Sequence, residues 1–159
     1  MIQFISGKIP YIEGDLLINA ANGRGWMGGI IGRLFKSVGV AQSIHYADPS
    51  IEKVTKKLFR DKRASVGDTV HTTAGKLKYS SGILHAITMA EPGQSSSLDI
   101  VAKCLDNILN YCDKNKIEVV VIPLLGAGVG GLNKESILDL YEKKLENSRT
   151  TFKVIHYKK

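Results

Sequence analysis

Two glycine-rich segments could bind an anionic ligand through their backbone N–H groups. The first reads Asn-Ala-Ala-Asn at residues 19–22 and Gly-Gly-Ile-Ile-Gly at residues 28–32, and the second reads Gly-Ala-Gly-Val-Gly-Gly at residues 126–131. Each follows an apolar run typical of a buried strand and precedes a segment typical of a helix. A loop that leads from a strand into a helix N-terminus directs N–H groups at an anion. Two such loops in one small domain predict a ligand with more than one phosphate, and we expect a diphosphate between them.

The elements that must position these loops alternate between strands and helices. Apolar runs predict strands at Ile2–Ile5, Leu16–Ala20, Thr69–Thr73, Ile83–Thr88, Glu118–Pro123 and Phe152–Tyr157. Capping residues and helical periodicity predict helices at Ile30–Ser37, from Asp48-Pro49 onward, at Leu98–Asn115 and from Asn133 to Leu145. This order predicts a three-layer α/β/α sandwich with a mixed, mainly parallel central sheet. Ligands bind such sheets at the carboxyl ends of the strands, and both glycine loops follow such ends.

Length and composition indicate one soluble domain over residues 1–159. The hydrophobic share of 43% and the charged share of 23% are ordinary for a globular protein. No apolar run approaches the roughly 20 residues that cross a bilayer, and the first residues do not resemble a signal peptide. Cys104 and Cys112 lie on one predicted helix, too far apart to pair, and we expect buried free thiols. These features favour a cytoplasmic monomer.

The net charge of +7 favours phosphate-rich partners. The densest basic cluster consists of Lys53, Lys56, Lys57, Arg60, Lys62 and Arg63. A solvated helix face explains this run, and an association with nucleic acid is the weaker alternative because no aromatic residues are interleaved for base stacking. Four widely spaced histidines, with no cysteine close to any of them, do not give metal-ligand spacing: His45, His71, His85 and His156. We expect no metal and no cofactor, and a hydrogen-bonded core position for His85.

The glycine-rich segments and their flanks resemble the macro domain, an α/β module that binds ADP-ribose. Four blocks match that family in order: residues 14–22, 28–32, 67–75 with 83–86, and 122–131. The block around Asn-Ala-Ala-Asn, joined to the second glycine loop, is the specific part of the resemblance. It implies that the chain binds ADP-ribose, free or attached to a protein or metabolite.

The resemblance also implies individual roles. Asp15, in a block with Leu16, would accept a hydrogen bond from the adenine amino group, and Tyr157 would lie over the adenine. Asn22 would hold the hydroxyls of the distal ribose. The diphosphate would be cradled by the residues of the two loops, Gly28, Gly29, Ile30, Ile31, Gly126, Ala127, Gly128, Val129, Gly130 and Gly131. Trp26 has two open interpretations, as a wall of the distal ribose site or as a residue packed under the first loop.

The sequence departs from the family's catalytic patterns. One hydrolase branch carries an aspartate where this chain has Ile31, which cannot accept a proton. A second branch uses a lysine near Lys36 as a covalent nucleophile, but its partner aspartate would align near Gly130. A binding module is therefore the first interpretation. The alternative is a hydrolase of ADP-ribosyl linkages or of O-acetyl-ADP-ribose that works through a water held by Asn22, or through Lys36.

Overall fold

The computed structural model describes residues 1–28 and 39–155, which form a sheet flanked by helices. The strands in this part of the chain are β1 (Ile2–Ile5), β2 (Leu16–Asn22), β3 (Thr69–Thr72), β4 (Ile83–Met89), β5 (Val119–Pro123) and β6 (Thr151–Ile155). Its helices are α1 (Val40–Ala47), α2 (Pro49–Asp61), α3 (Leu98–Asn115) and α4 (Lys134–Leu145). The helix predicted at 30–37 lies outside the described residues.

The sheet is mixed and mainly parallel, as predicted. Its order is β1-β6-β5-β2-β4-β3, and among these strands only the edge strand β3 runs antiparallel to its neighbour. The carboxyl ends of the five parallel strands consequently meet at one edge. The loops that follow β2, β4 and β5 leave the sheet at this edge.

The helices cover both faces of the sheet, which confirms the three-layer sandwich. Leu16 and Ile18 of β2 pack with α3 and α4, whereas Leu17 faces the other way, toward α1 and the start of α2. This alternation follows from the period of two along a strand. Cys104 and Cys112 lie on the buried face of α3 as free thiols, as expected, and burial raises the pKa of each to about 12.

Side-chain caps explain which helix starts could be predicted. Asp48 accepts a hydrogen bond from the N–H of Ser50, and Pro49 is the first residue of α2. The hydroxyl of Ser50 also bonds this carboxylate, and it contributes most to holding the pKa of Asp48 below its ordinary value. Asn133 caps α4 in the same way. Helix α1 could not be predicted, because it has only eight residues and its N-cap residue, Gly39, has no side chain to cap it.

A cluster of three buried polar side chains, Asn19, Thr72 and His85, connects β2, β3 and β4. Asn19 Nδ2 lies 3.0 Å from His85 Nδ1, and Thr72 Oγ1 lies 2.9 Å from His85 Nε2. Because the Thr72 hydroxyl donates to the carbonyl of Thr73, Nε2 of His85 must carry the proton and Nδ1 accepts from Asn19. Burial, with a smaller effect of the charge on His71, lowers the pKa of His85 to about 3. His85 is thus a neutral, hydrogen-bonded core residue, as the sequence predicts.

No helix in the described ranges is both long and apolar enough to cross a bilayer.

Candidate functional site

A cavity of about 560 Å³ opens at the edge where the parallel strands end. It extends across the ends of β6, β5, β2 and β4. The described residues that line it are 20–22, 26–28, 39–42, 88–89, 92–93, 123–124, 126–130, 134 and 155. The strand ends, the described part of the first glycine-rich segment and the second segment therefore meet at one site, in the place that the fold class predicts.

The second glycine loop is closed by its own backbone. Leu132 N–H donates to the carbonyl of Gly126 over 2.9 Å, and Gly131 N–H donates to that of Gly128 over 3.1 Å. Below the loop, the buried hydroxyl of Tyr141 donates to the carbonyl of Pro123 over 2.6 Å and accepts from the N–H of Leu125 over 3.0 Å. The loop is consequently held in shape before any ligand arrives.

The glycines of this loop serve two different purposes. A Cβ on Gly130 would lie 2.7 Å from the carbonyl oxygen of Gly126, so glycine is required there for the loop to close. Among the described residues, a Cβ on Gly128 would meet no atom within 4 Å, and Gly128 lines the cavity. Glycine at 128 therefore leaves open space on the cavity side of the loop, as far as the described residues go. Gly131, predicted to touch the ligand, is not in the cavity lining, and its φ of +73° serves the turn.

The first glycine segment is described only up to Gly28, which lines the cavity with a φ of +104°. The predicted site residues Gly29, Ile30, Ile31 and Lys36 lie outside the described residues, and so does Tyr157.

Helix α1 contributes a part of the site that the sequence did not reveal. Its first turn, residues 40–42, lines the cavity together with Gly39. Ser43 is the first residue whose N–H donates within the helix, to the carbonyl of Gly39. The preceding N–H groups, including those of Val40 and Ala41, face the helix N-terminus, where the helix dipole favours an anion. The N-cap residue of α1 is Gly39, which has no capping side chain, so the sequence carries no capping signal at the start of this helix.

Asn22 lines the cavity, but its side chain organises the turn that follows β2. Its Oδ1 accepts hydrogen bonds from the N–H groups of Arg24 and Trp26, over 3.1 and 3.2 Å. Its Nδ2 donates to the carbonyl of Trp26 over 2.8 Å. The amide expected to hold ribose hydroxyls is thus already engaged with the backbone, and Asn22 acts in this structure as a support for Trp26.

Trp26 lies at the rim of the cavity. Trp26 lines the cavity and is 40% exposed, whereas its neighbour Met27 is 2% exposed. Both interpretations of Trp26 stay open here, because the loop that follows Gly28 lies outside the described residues.

The segment after β4 connects the two walls of the cavity. The Arg24 guanidinium contacts both carboxylate oxygens of Glu91, with Nε 2.8 Å from each. Hydrogen bonding in this pair, more than its charge, raises the pKa of Arg24 and lowers the pKa of Glu91. At the other end of the segment, Ser96 N–H donates to the carbonyl of Gly130 over 3.0 Å. Residues 91–96 therefore bridge the turn after β2 and the second glycine loop.

Asp15 and Leu16 lie away from the cavity, contrary to expectation. Strand β2 begins directly after Asp15, and a rise of about 3.3 Å per residue puts Asp15 roughly 23 Å from Asn22 at the other end of the strand. Asp15 Oδ2 accepts a hydrogen bond from the N–H of Val119 over 2.8 Å, which ties β2 to the start of β5. Leu16 is fully buried in the core. The matching motif lies on the correct strand but at the opposite edge of the sheet.

The chemistry available in the described lining is limited. Lys134, the first residue of α4, is the only lining residue in the described ranges with an ionisable side chain. Within the same ranges, no three His, Cys, Asp or Glu residues come together as metal ligands. The lining offers backbone N–H groups, one cation and apolar surface, a combination suited to holding an anionic ligand.

Comparisons with known proteins agree with this architecture. The sequence matches the profile described as Macro domain over residues 18–141. It is 37% identical over 134 residues to an uncharacterized protein of Aquifex aeolicus, a match that covers 84% of this chain and 74% of that relative. The fold is similar to the macrodomain of Thermus aquaticus DarG, with a TM-score of 0.82, 21% identity and coverage of 100% and 99% of the two chains.

A further structural match is Thermosipho africanus DarTG in complex with ADP-ribose. Its TM-score is 0.73 at 19% identity, and the match covers 89% of this chain and 38% of that one. At such identities these two structures support the fold, and the profile match over most of the chain supports the family. The chain belongs to the macro domain family.

Proposed function

We propose that this protein binds ADP-ribose, free or attached to a protein or metabolite, in the cavity at the carboxyl edge of the sheet. The observation that carries the proposal is the space in front of Gly128, which no described residue fills, on a loop that backbone hydrogen bonds already hold closed. The Thermosipho africanus relative in complex with ADP-ribose supports the choice of ligand.

The diphosphate belongs beside the second glycine loop and the first turn of α1. Both present backbone N–H groups, and glycine lets a phosphate approach the backbone closely. Lys134 adds a positive charge to the same lining. A dianionic diphosphate is thus matched by backbone donors, a helix N-terminus and one ammonium group.

The two ends of the cavity would then take the two sugars. Ile155 and Pro123, at the ends of β6 and β5, offer an apolar surface to a purine ring. Tyr157 follows shortly after Ile155 and is proposed as a further contact of the adenine. The opposite end, formed by Asn22, Trp26 and Met89, would receive the distal ribose.

The described lining favours binding over hydrolysis. General acid–base catalysis needs a carboxylate, imidazole or similar group within reach of the reacting atoms. Lys134 is the only ionisable side chain in that part of the lining, and the Asn22 amide is bonded to the backbone of Trp26. We therefore propose a reader or binding module as the function.

Calorimetric titration with ADP-ribose, ADP and AMP tests this proposal. Gly128→Val should weaken ADP-ribose and ADP by at least about tenfold, equivalent to about 1.4 kcal/mol, because the new side chain occupies the phosphate position. Gly128→Ala, a smaller change at the same open position, should weaken them less. Failure of the wild-type protein to bind ADP-ribose at high micromolar concentration would refute the proposal. Full affinity in a folded Gly128→Val protein would put the diphosphate elsewhere.

A further inference from the structure

We propose that Trp26 forms a stacking subsite for a flat, positively charged group attached to the distal ribose of the bound ligand. Two ligand types present this chemistry, the pyridinium ring of a nicotinamide dinucleotide and the guanidinium of an arginine side chain that carries ADP-ribose. The inference rests on the proposed function, because it extends the ADP-ribose site beyond its ribose end.

The turn that carries Trp26 is built from inside by Asn22. Three hydrogen bonds of 2.8 to 3.2 Å connect the Asn22 side chain to the backbone of Arg24 and Trp26. Asn22 itself is only 8% exposed. The backbone that presents the indole is therefore fixed before a ligand binds.

Two glycines seat this turn on its surroundings. A Cβ on Gly23 would lie 2.6 Å from the carbonyl oxygen of Ala90, just beyond β4. Gly25 has a φ of +66°, and a Cβ added at this position would lie 3.1 Å from the backbone nitrogen of Lys56 in α2. The turn thus packs against backbone on two sides, which leaves it little freedom to move.

The ion pair with Glu91 fixes a third side. Arg24 lies between the two glycines and reaches across to Glu91. In this rigid setting the chain buries Met27 but leaves Trp26 40% exposed at the cavity rim. A large aromatic side chain, held rigid and left exposed beside a binding cavity, is the kind of residue that dominates binding interfaces.

The position of Trp26 selects the part of the ligand that it meets. The adenine and diphosphate are assigned to the ends of β6 and β5 and to the glycine loop, so the group nearest the Asn22 turn is the distal ribose and whatever is bonded to it. The face of an indole attracts flat cations, with tryptophan the strongest of the aromatic side chains. A serine or glutamate conjugate offers no flat cation and gains nothing from this ring.

The test compares ligands that differ in the group attached to the distal ribose, with AMP as a ligand that lacks this ribose. Wild-type protein, Trp26→Phe and Trp26→Ala are titrated with AMP, ADP-ribose, NAD+, and one peptide carrying ADP-ribose on arginine or on serine. We expect at least one of NAD+ and the arginine conjugate to bind the wild-type protein about fivefold more tightly than the serine conjugate does. Trp26→Ala should abolish this preference and Trp26→Phe should retain part of it. The arm that shows the preference identifies the source of the flat cation.

Fluorescence provides a second readout, because Trp26 is the only tryptophan of the chain. Stacking of the preferred flat ligand should change the emission of the wild-type protein, and the serine conjugate should leave it nearly unchanged. This measurement keeps the test valid even where Trp26→Ala does not fold.

Several results would overturn the inference. Equal affinities of the wild-type protein for the flat and serine conjugates would do so. Equal losses for all ADP-ribosyl ligands in Trp26→Ala would make Trp26 a wall of the ribose site, and an equal loss for AMP would put the adenine against it. Absence of binding for every ligand, ADP-ribose included, would instead refute the proposed function, so the two failures are distinguishable.

Discussion

The substitution Asp15→Ala distinguishes a structural role of this carboxylate from a role in ligand binding. The Asp15 carboxylate accepts a 2.8 Å hydrogen bond from the N–H of Val119, and Asp15 N–H donates over 2.8 Å to the carbonyl of the same residue. Asp15→Ala leaves the Val119 N–H at the start of β5 without its acceptor. A hydrogen bond to a charged group contributes about 1.5–3 kcal/mol, and Asp15 is only partly buried, so the lower half of this range is expected.

The corresponding assay measures stability and binding on the same protein. In a domain of this size about 2 kcal/mol corresponds to a fall in Tm of roughly 4–8 °C, measurable by thermal or urea unfolding. ADP-ribose affinity, measured well below that Tm, should stay within about twofold of wild type because Asp15 lies at the other edge of the sheet. Asp15→Asn, which keeps an oxygen acceptor, should recover part of the stability. Unchanged stability together with a tenfold loss of ADP-ribose affinity would refute this reasoning and return Asp15 to the adenine site.

Three further predictions concern the core, the loop and catalysis. Because the pKa of His85 falls from 6.5 to about 3 on folding, the unfolded chain binds the extra proton between these values. Stability should therefore fall as the pH drops below about 6.5, by about 2 kcal/mol at pH 5. Urea unfolding at pH 7 and 5 should show this loss, and His85→Gln should reduce the difference. Gly130→Val should lower the Tm, unlike Gly128→Val, because its Cβ would lie 2.7 Å from the Gly126 carbonyl oxygen; equal Tm values for the two variants would contradict this. Release of ADP-ribose from aspartate- or glutamate-linked conjugates should be slow or absent, since Lys134 is the only ionisable group in the described lining; a rate equal to that of efficient hydrolases would contradict it.

Local signals made most of the fold predictable. Helix α3 was predicted with its observed bounds, because Ser97 caps its start and the apolar residues repeat with helical spacing. Gly126 and Gly130 follow a strand buried on both sides, so the second loop could be located without coordinates. In each case the determining interactions lie within a few residues along the chain.

The parts of the site that could not be predicted depend on contacts between distant segments. The partner of Asp15 is Val119, 104 positions further along the chain, and no local pattern reveals that this pairing occupies the carboxylate. The first turn of α1 lines the cavity together with the ends of β2 and β5, and no local pattern indicates that these segments meet. No sequence pattern indicates that the side-chain amide of Asn22 bonds to the backbone of Trp26 rather than to a ligand.

The bridge formed by residues 91–96 has a consequence for how ligand preference can change. The ion pair at Glu91 and the backbone hydrogen bond at Ser96 connect the turn bearing Trp26 to the loop bearing Gly130. Residues that share such connections do not contribute independently to free energy. A substitution in either wall of the cavity changes the setting of the other, so combined substitutions in the two walls should deviate from additivity. A change of ligand preference at this cavity is therefore expected to involve the turn after β2, residues 91–96 and the second glycine loop together.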